Sequence, residues 1–160
     1  MGVQTGEVGW YVSQSDDQNN SGAITGWNSS SKPGGSWSDT SKTGNDLCPP
    51  GYRVPTSIQW QAVIDNNDIE RVGSWAGDGN YTSALYFRNP SNIRALMFPT
   101  TSYRYLTDGW LISRGNSGDY WSSSEAGSLS NYLGFDRSNS NVYVRNSSRT
   151  FLYSVRCVAE

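Results

Sequence analysis

Hydrophobic and polar positions alternate most regularly near the C-terminal end of the chain. In 132–136, Tyr-Leu-Gly-Phe-Asp, and 141–145, Asn-Val-Tyr-Val-Arg, a period of two places Leu133, Phe135, Val142 and Val144 on one face of a sheet. The opposite face then carries Tyr132, Asp136, Tyr143 and Arg145. Rings with polar tips, hydroxyls, amides and guanidinium groups give contact area and adaptable hydrogen bonds at modest entropic cost, which is the chemistry of recognition surfaces. The same alternation also describes an antiparallel sheet whose outer face is merely solvated.

Upstream, the pattern predicts a short first strand at 8–12, Val-Gly-Trp-Tyr-Val, then a long polar loop over 13–46 in which Trp27 and Trp37 act as anchors. The clearest helix start follows Pro55. Thr56 can cap, Gln59 three residues later can complete a capping box, and Trp60, Val63 and Ile64 then share one helical face, with Asn66-Asn67 as the stop. Residues 73–80 read as a loop, and Ala95-Leu96-Met97-Phe98 before Pro99 as a buried strand. Short strands and turns are predicted from there on: strands at 102–106, 110–112, 120–123, 131–136, 141–145 and 151–158, with turns at 107–109 and 115–118. One early helix followed by many strands and long ordered loops makes a single α+β domain over 1–160.

Composition narrows this picture. Of 160 residues only 35% are hydrophobic, yet seven are Trp and ten Tyr, so the core must be made of a few large rings. The charged fraction of 16% lies below the usual ~25%, and the net charge of −2 gives no basic footprint for nucleic acid or an anionic membrane. No apolar run approaches the ~20 residues needed to insert directly into a bilayer, and Met1-Gly2-Val3-Gln4 does not open an export signal. Cys48 and Cys157 are the only thiols. They are either structural free thiols or a bridge closing a loop of about 110 residues, worth roughly 4–5 kcal/mol in the chain-entropy model.

Several separated motifs occur in one order: Cys48-Pro-Pro-Gly-Tyr-Arg-Val-Pro-Thr56 with Trp60 behind it, Tyr103-Arg104, Arg114-Gly115, Gly118-Asp-Tyr-Trp-Ser-Ser-Ser124, and Ser154-Val-Arg-Cys-Val158. From about Trp27 onward the chain resembles the Fibrobacter succinogenes major paralogous domain, a branch of the C-type-lectin-like folds of the formylglycine-generating-enzyme type. The resemblance implies that Cys48 and Cys157 pair and that the protein is exported to a cell surface, or is displayed on a phage particle. It also implies that Arg53 and Arg156 serve folding, by tying loops to backbone carbonyls, and that Trp121 fills the core.

The tail 120–158 further resembles the variable region of proteins diversified by retroelements, in which adenine mutagenesis rewrites chosen codons. Tyr120-Trp121-Ser122-Ser123, Leu133, Phe135, Val142, Val144 and 154–157 match the framework. Between them lie Leu129, Asn131, Gly134, Asp136, Arg137, Tyr143, Arg145, Ser147, Ser148 and Phe151, which are all reachable by such mutation. These ten are the candidate ligand-binding residues, and a protein or glycan on another cell surface is the expected partner. A structural or lipoprotein domain without a diversified site is the alternative.

Catalytic chemistry finds little support in the residues. The chain has no His, the usual general base and metal ligand, and no Cys-x-x-Cys, phosphate-cradling loop or nucleophile elbow. Asp16-Asp17 and the Asp65/Asp68 pair could serve glycoside hydrolysis but read better as loop and helix-end residues. Loops containing Asp16, Asp17, Asp39, Asp46, Asp78, Asp108 and Asp136 offer oxygen ligands for calcium, but none has the spacing of a recognised calcium loop. The expectation is a binding module without cofactor or metal; a carbohydrate-active enzyme would need a catalytic group that the sequence does not reveal.

Overall fold

The computed structural model describes Val3–Gln4, Trp10–Tyr11 and residues 22–77, 83–138 and 141–160. Within these lie twelve strands and one α-helix. The strands are β1 (Val3–Gln4), β2 (Trp10–Tyr11), β3 (Tyr52–Arg53), β4 (Asp68–Gly73), β5 (Ser83–Arg88), β6 (Arg94–Pro99), β7 (Tyr103–Arg104), β8 (Leu111–Ile112), β9 (Ser117–Ala126), β10 (Leu129–Asp136), β11 (Tyr143–Ser148) and β12 (Val158–Ala159); the helix α1 spans Ser57–Asp65. All strand pairs are antiparallel, in two three-stranded sheets, β4-β5-β6 and β11-β10-β9, and three two-stranded ribbons, β1-β2, β12-β3 and β7-β8. The architecture is mixed α+β.

The helix begins where its capping chemistry dictates. Thr56 accepts from the Gln59 amide at 3.1 Å while the Gln59 side chain accepts from the Thr56 amide at 3.0 Å, so two otherwise unpaired helix-start donors are satisfied. Asn66 closes the other end. Trp60 points inward from α1 and meets Leu85, Phe87, Phe98, Tyr120, Leu133, Phe135 and Val142 in one core, with Val63 and Ile64 packed at its edge. The rings pack edge to face, Phe98 lying 5.7 Å from Trp60, 5.5 Å from Phe87 and 4.9 Å from Tyr120. Burying each such ring contributes about 1.5–3 kcal/mol, which is how a chain poor in aliphatic residues holds together. Gly118 is required here: a Cβ would sit 2.3 Å from Phe135 Cζ.

Two strands, β4 and β5, form where the sequence pattern predicts none, and they supply Leu85 and Phe87 to the core. The stretch 95–98 is a strand as expected but not a buried one. Only Phe98 is enclosed, while Leu96 and Met97 are 37% and 41% exposed, because β6 is an edge strand. The span 151–158 is likewise not a continuous strand; it makes single bridges, Leu152 with Arg104 and Ser154 with Tyr120, before β12 pairs with β3. Val8, Gly9 and Val12 of the expected first strand, and 13–21 of the expected loop, lie outside the described residues.

The remaining loop is anchored as its tryptophans imply. The Trp27 indole donates to the Leu106 carbonyl at 3.0 Å and the Trp37 indole to the Asn45 carbonyl at 2.9 Å. Asp39 accepts from Ser123 and Ser124 of β9 at 2.6 and 2.7 Å. Cys48 and Cys157 form a disulfide across a sequence separation of 109, with Cα atoms 5.7 Å apart. Beside it the buried Asp46 carboxylate accepts from the Cys48 and Val54 amides, and the Lys42 ammonium bonds Asp46, Tyr52 and the Cys48 carbonyl. Arg53 donates to the Val54 carbonyl and Arg156 to the Met97 carbonyl. No helix among the described residues is long and apolar enough to cross a membrane.

Candidate functional site

The β11-β10-β9 sheet has two faces of different character. Its register pairs Leu133 with Tyr120 and Val144, on the face that meets α1 and the core. The neighbouring positions pair Tyr132 with Trp121 and Arg145, and Gly134 with Asp119 and Tyr143, so these residues share the far face. Residues from elsewhere in the chain lie over part of that face. Tyr153 stacks on Trp121 at 4.3 Å and lies 4.8 Å from Tyr132. Tyr103 and Phe151 each lie 5.6 Å from Tyr153, and Tyr105 lies 5.5 Å from Phe151. The Tyr153 segment is fixed by backbone bonds, the Ser154 amide donating to the Asp119 carbonyl and the Trp121 amide to the Ser154 carbonyl, both at 2.9 Å.

This cluster of rings opens into a cleft of about 380 Å³. Four phenols, Tyr103, Tyr132, Tyr143 and Tyr153, line it together with Asp119, Asp136, Arg137, Ser113, Asn116 and Ser138. Asp119 is only 6% exposed, and its carboxylate accepts from the Ser117 hydroxyl at 3.2 Å. Burial pushes its pKa up to about 7; the Ser117 bond opposes the shift and the nearby Asp136 adds to it. The four cleft phenols are all raised, first by burial and further by the Asp119 charge. Asp136 is held at the rim, accepting from the Ser138 amide and hydroxyl, while Arg71 donates to its main-chain carbonyl at 2.6 Å. The Arg145 guanidinium lies 4.3 Å from the Tyr143 ring centroid.

The ten residues singled out in the sequence do not form one patch. Asp136, Tyr143, Arg145, Ser147 and Phe151 belong to the aromatic face: Ser147 accepts from the Tyr153 hydroxyl at 3.0 Å, Phe151 is part of the ring cluster, and the exposed Arg137 extends the rim. Gly134 is on this face too but lies beneath it, since a Cβ would come within 2.5 Å of the Tyr143 ring and 2.7 Å of the Tyr132 ring. Leu129, Asn131 and Ser148 have the register parity of Leu133 and Val144, away from the cleft. Asn131 there donates to the Ser124 carbonyl at 3.3 Å.

Trp121 is buried, 5% exposed, but beneath Tyr153 on the far face rather than in the core around Trp60. Sequence reasoning missed Asp119 as a site residue, and with it Tyr103 and Tyr153. The available signal was parity: Asp119 alternates with Tyr120, so a core-facing Tyr120 turns Asp119 to the same side as Tyr132 and Tyr143. Asp16, Asp17 and Asp78 lie outside the described residues; Asp65 accepts from Gln61 on the exposed side of α1. Among the described residues no group of three or more Cys, Asp or Glu side chains gathers to hold a metal ion.

Comparison of the chain with protein-family models, curated proteins and solved structures finds no match.

Proposed function

We propose that this chain is a surface-displayed ligand-binding module of the C-type-lectin-like type. In this reading the far face of the β11-β10-β9 sheet, with its cleft, recognises a protein or glycan on another cell surface. The observation that carries it is the gathering of seven aromatic residues, Tyr103, Tyr105, Trp121, Tyr132, Tyr143, Phe151 and Tyr153, on the side of the sheet away from the core, most of them only half-buried. Rings and guanidinium groups at an open cleft are the groups that dominate binding energies. The motif resemblance supplies the fold type, and the disulfide is compatible with an extracellular location. The same face would tolerate retroelement diversification at Arg137 and Arg145, which project from the sheet without supporting the core, whereas Gly134 lacks room for a side chain.

The test uses an array of glycans and cell-surface ectodomains. Tyr143→Ala with Arg145→Ala is expected to lower the melting temperature by only a few degrees and to abolish binding. Unchanged binding across variants at Arg137, Tyr143, Arg145 and Phe151 refutes the reading.

A second reading has one observation in its favour. Asp119 and Asp136 line one cleft, and burial raises the Asp119 carboxyl as it does the acid of glycosidases that work with two carboxyl groups. Hydrolysis of aryl glycosides that disappears in Asp119→Asn would favour that carbohydrate-active enzyme.

A further inference from the structure

The geometry points to an aromatic cage for an organic cation: the cleft takes the ammonium or guanidinium head of a lysine or arginine side chain presented by a protein ligand. This rests on the reading of the far face as the recognition surface and gives that surface a chemical preference.

Three observations carry it. The phenol rings stand at steep angles to one another, Tyr132 to Tyr143 at 87°, Tyr103 to Tyr153 at 75° and Tyr132 to Tyr153 at 54°. They wall a box rather than lay out the single flat platform on which a sugar ring stacks, and angled aromatic walls are how proteins hold alkylated ammonium groups. Next, Asp119 lines this box while nine-tenths buried, with Ser117 as its hydrogen-bond partner and no ion-pair partner among the described residues. Finally, the guanidinium groups near the cleft are directed to partners other than Asp119. Asp136 on β10 adds a second carboxylate, attended by Arg71 of β4. Arg137 leans out to the Ala76 carbonyl at 3.4 Å, and Arg145 of β11 is occupied over Tyr143.

Burial, with a contribution from Asp136, raises Asp119 to about 7, and its field raises the phenols of β7, β10, β11 and the C-terminal segment. A cationic ligand supplies the missing counter-charge. A neutral sugar supplies none, and an anion is repelled by the ionised Asp119 carboxylate.

The probes are Nα-acetyl-arginine amide and Nα-acetyl-lysine amide, with Nα-acetyl-citrulline amide as the uncharged isostere of arginine. Binding is read from tyrosine ring resonances in NMR titrations of the whole chain. At pH 8 at least one cationic amide is expected to bind at least tenfold more tightly than citrulline amide. Because ionisation of Asp119 must accompany binding, affinity should weaken about tenfold between pH 8 and pH 6, as the ionised fraction falls from roughly nine-tenths to one-tenth around a pKa of about 7. Asp119→Asn should lose the cationic preference; if it does not fold, the pH series on the unaltered protein carries the same test. Equal binding of citrulline amide, affinity independent of pH from 6 to 8, or no response to either cation overturns the cage. The array experiment with the Tyr143→Ala, Arg145→Ala double variant is separate: binding of neutral glycans lost in that variant keeps the recognition surface without the cage, and binding unaffected by it removes both.

Discussion

The two faces of the β11-β10-β9 sheet are made by the same three strands, yet they solve opposite problems. On the core side Tyr120, Leu133, Phe135 and Val142 are 0–7% exposed and closed in by α1 and β5. Their only polar tip, the Tyr120 hydroxyl, is satisfied by donating to the Pro99 carbonyl at 2.7 Å. On the far side Tyr132, Tyr143 and Phe151 are only half-buried, and an almost enclosed carboxylate sits among them. A core that serves stability buries apolar atoms and leaves no charge; the far face keeps a charge at a cost in stability. That difference is what supports the proposal of the far face as a recognition surface.

The sharpest way to break the comparison is to cut into the core side. Phe135→Ala removes a fully enclosed ring that Gly118 is shaped to fit, and should destabilise the fold by about 3–5 kcal/mol in denaturant titrations. Equal losses for Phe135→Ala and Tyr143→Ala would erase the distinction between the faces.

Next in size is a pH effect confined to the far side. The folded pKa of Asp119 is raised from 3.8 to about 7, so the folded state holds a proton that the unfolded chain has released. Stability should therefore fall as pH rises from about 4 to about 7 and level off above, by at most about 4 kcal/mol at 1.36 kcal/mol per pKa unit. The chain has no histidine, so no other side chain ordinarily titrates near pH 6–7. Thermal melts at pH 5 and pH 7.5 should differ for the unaltered protein and coincide for Asp119→Asn; a slope that persists in the variant assigns the effect elsewhere.

The smallest predicted effect falls on Gly134. Gly134→Ala drives a methyl group against the Tyr132 and Tyr143 rings and should cost about 1–3 kcal/mol, with a change in tyrosine fluorescence or near-ultraviolet dichroism as the rings shift. A neutral substitution there would return Gly134 to the set of freely exchangeable positions.

Much of the core side could be read from the chain, because its causes are local. A capping box spans four residues, and the alternation of Leu133 with Phe135 is visible within five. The far side depends on segments brought together over long separations. Tyr153 reaches Trp121 through single bridges rather than a patterned strand, and Tyr103 arrives from a two-residue ribbon, so periodicity gives neither away. A two-residue alternation says which face Asp119 occupies, but not that tyrosines from two other segments will close over it. Strand β5 is readable in principle, Ala84 to Phe87 being a short apolar run, but the polar stretches that flank it mask the signal. The separation of Leu129, Asn131 and Ser148 from the cleft follows from strand parity, which a composition of mutable residues ignores.

The bridge between Cys48 and Cys157, with β12 paired to β3 beside it, has a mechanical meaning. Two backbone pairings and one covalent link hold β12 to β3, so fraying of the hydrogen bonds cannot part the two segments while the sulfur–sulfur bond is intact. A force that pulls these strands apart is borne by that bond rather than by the pairings beside it.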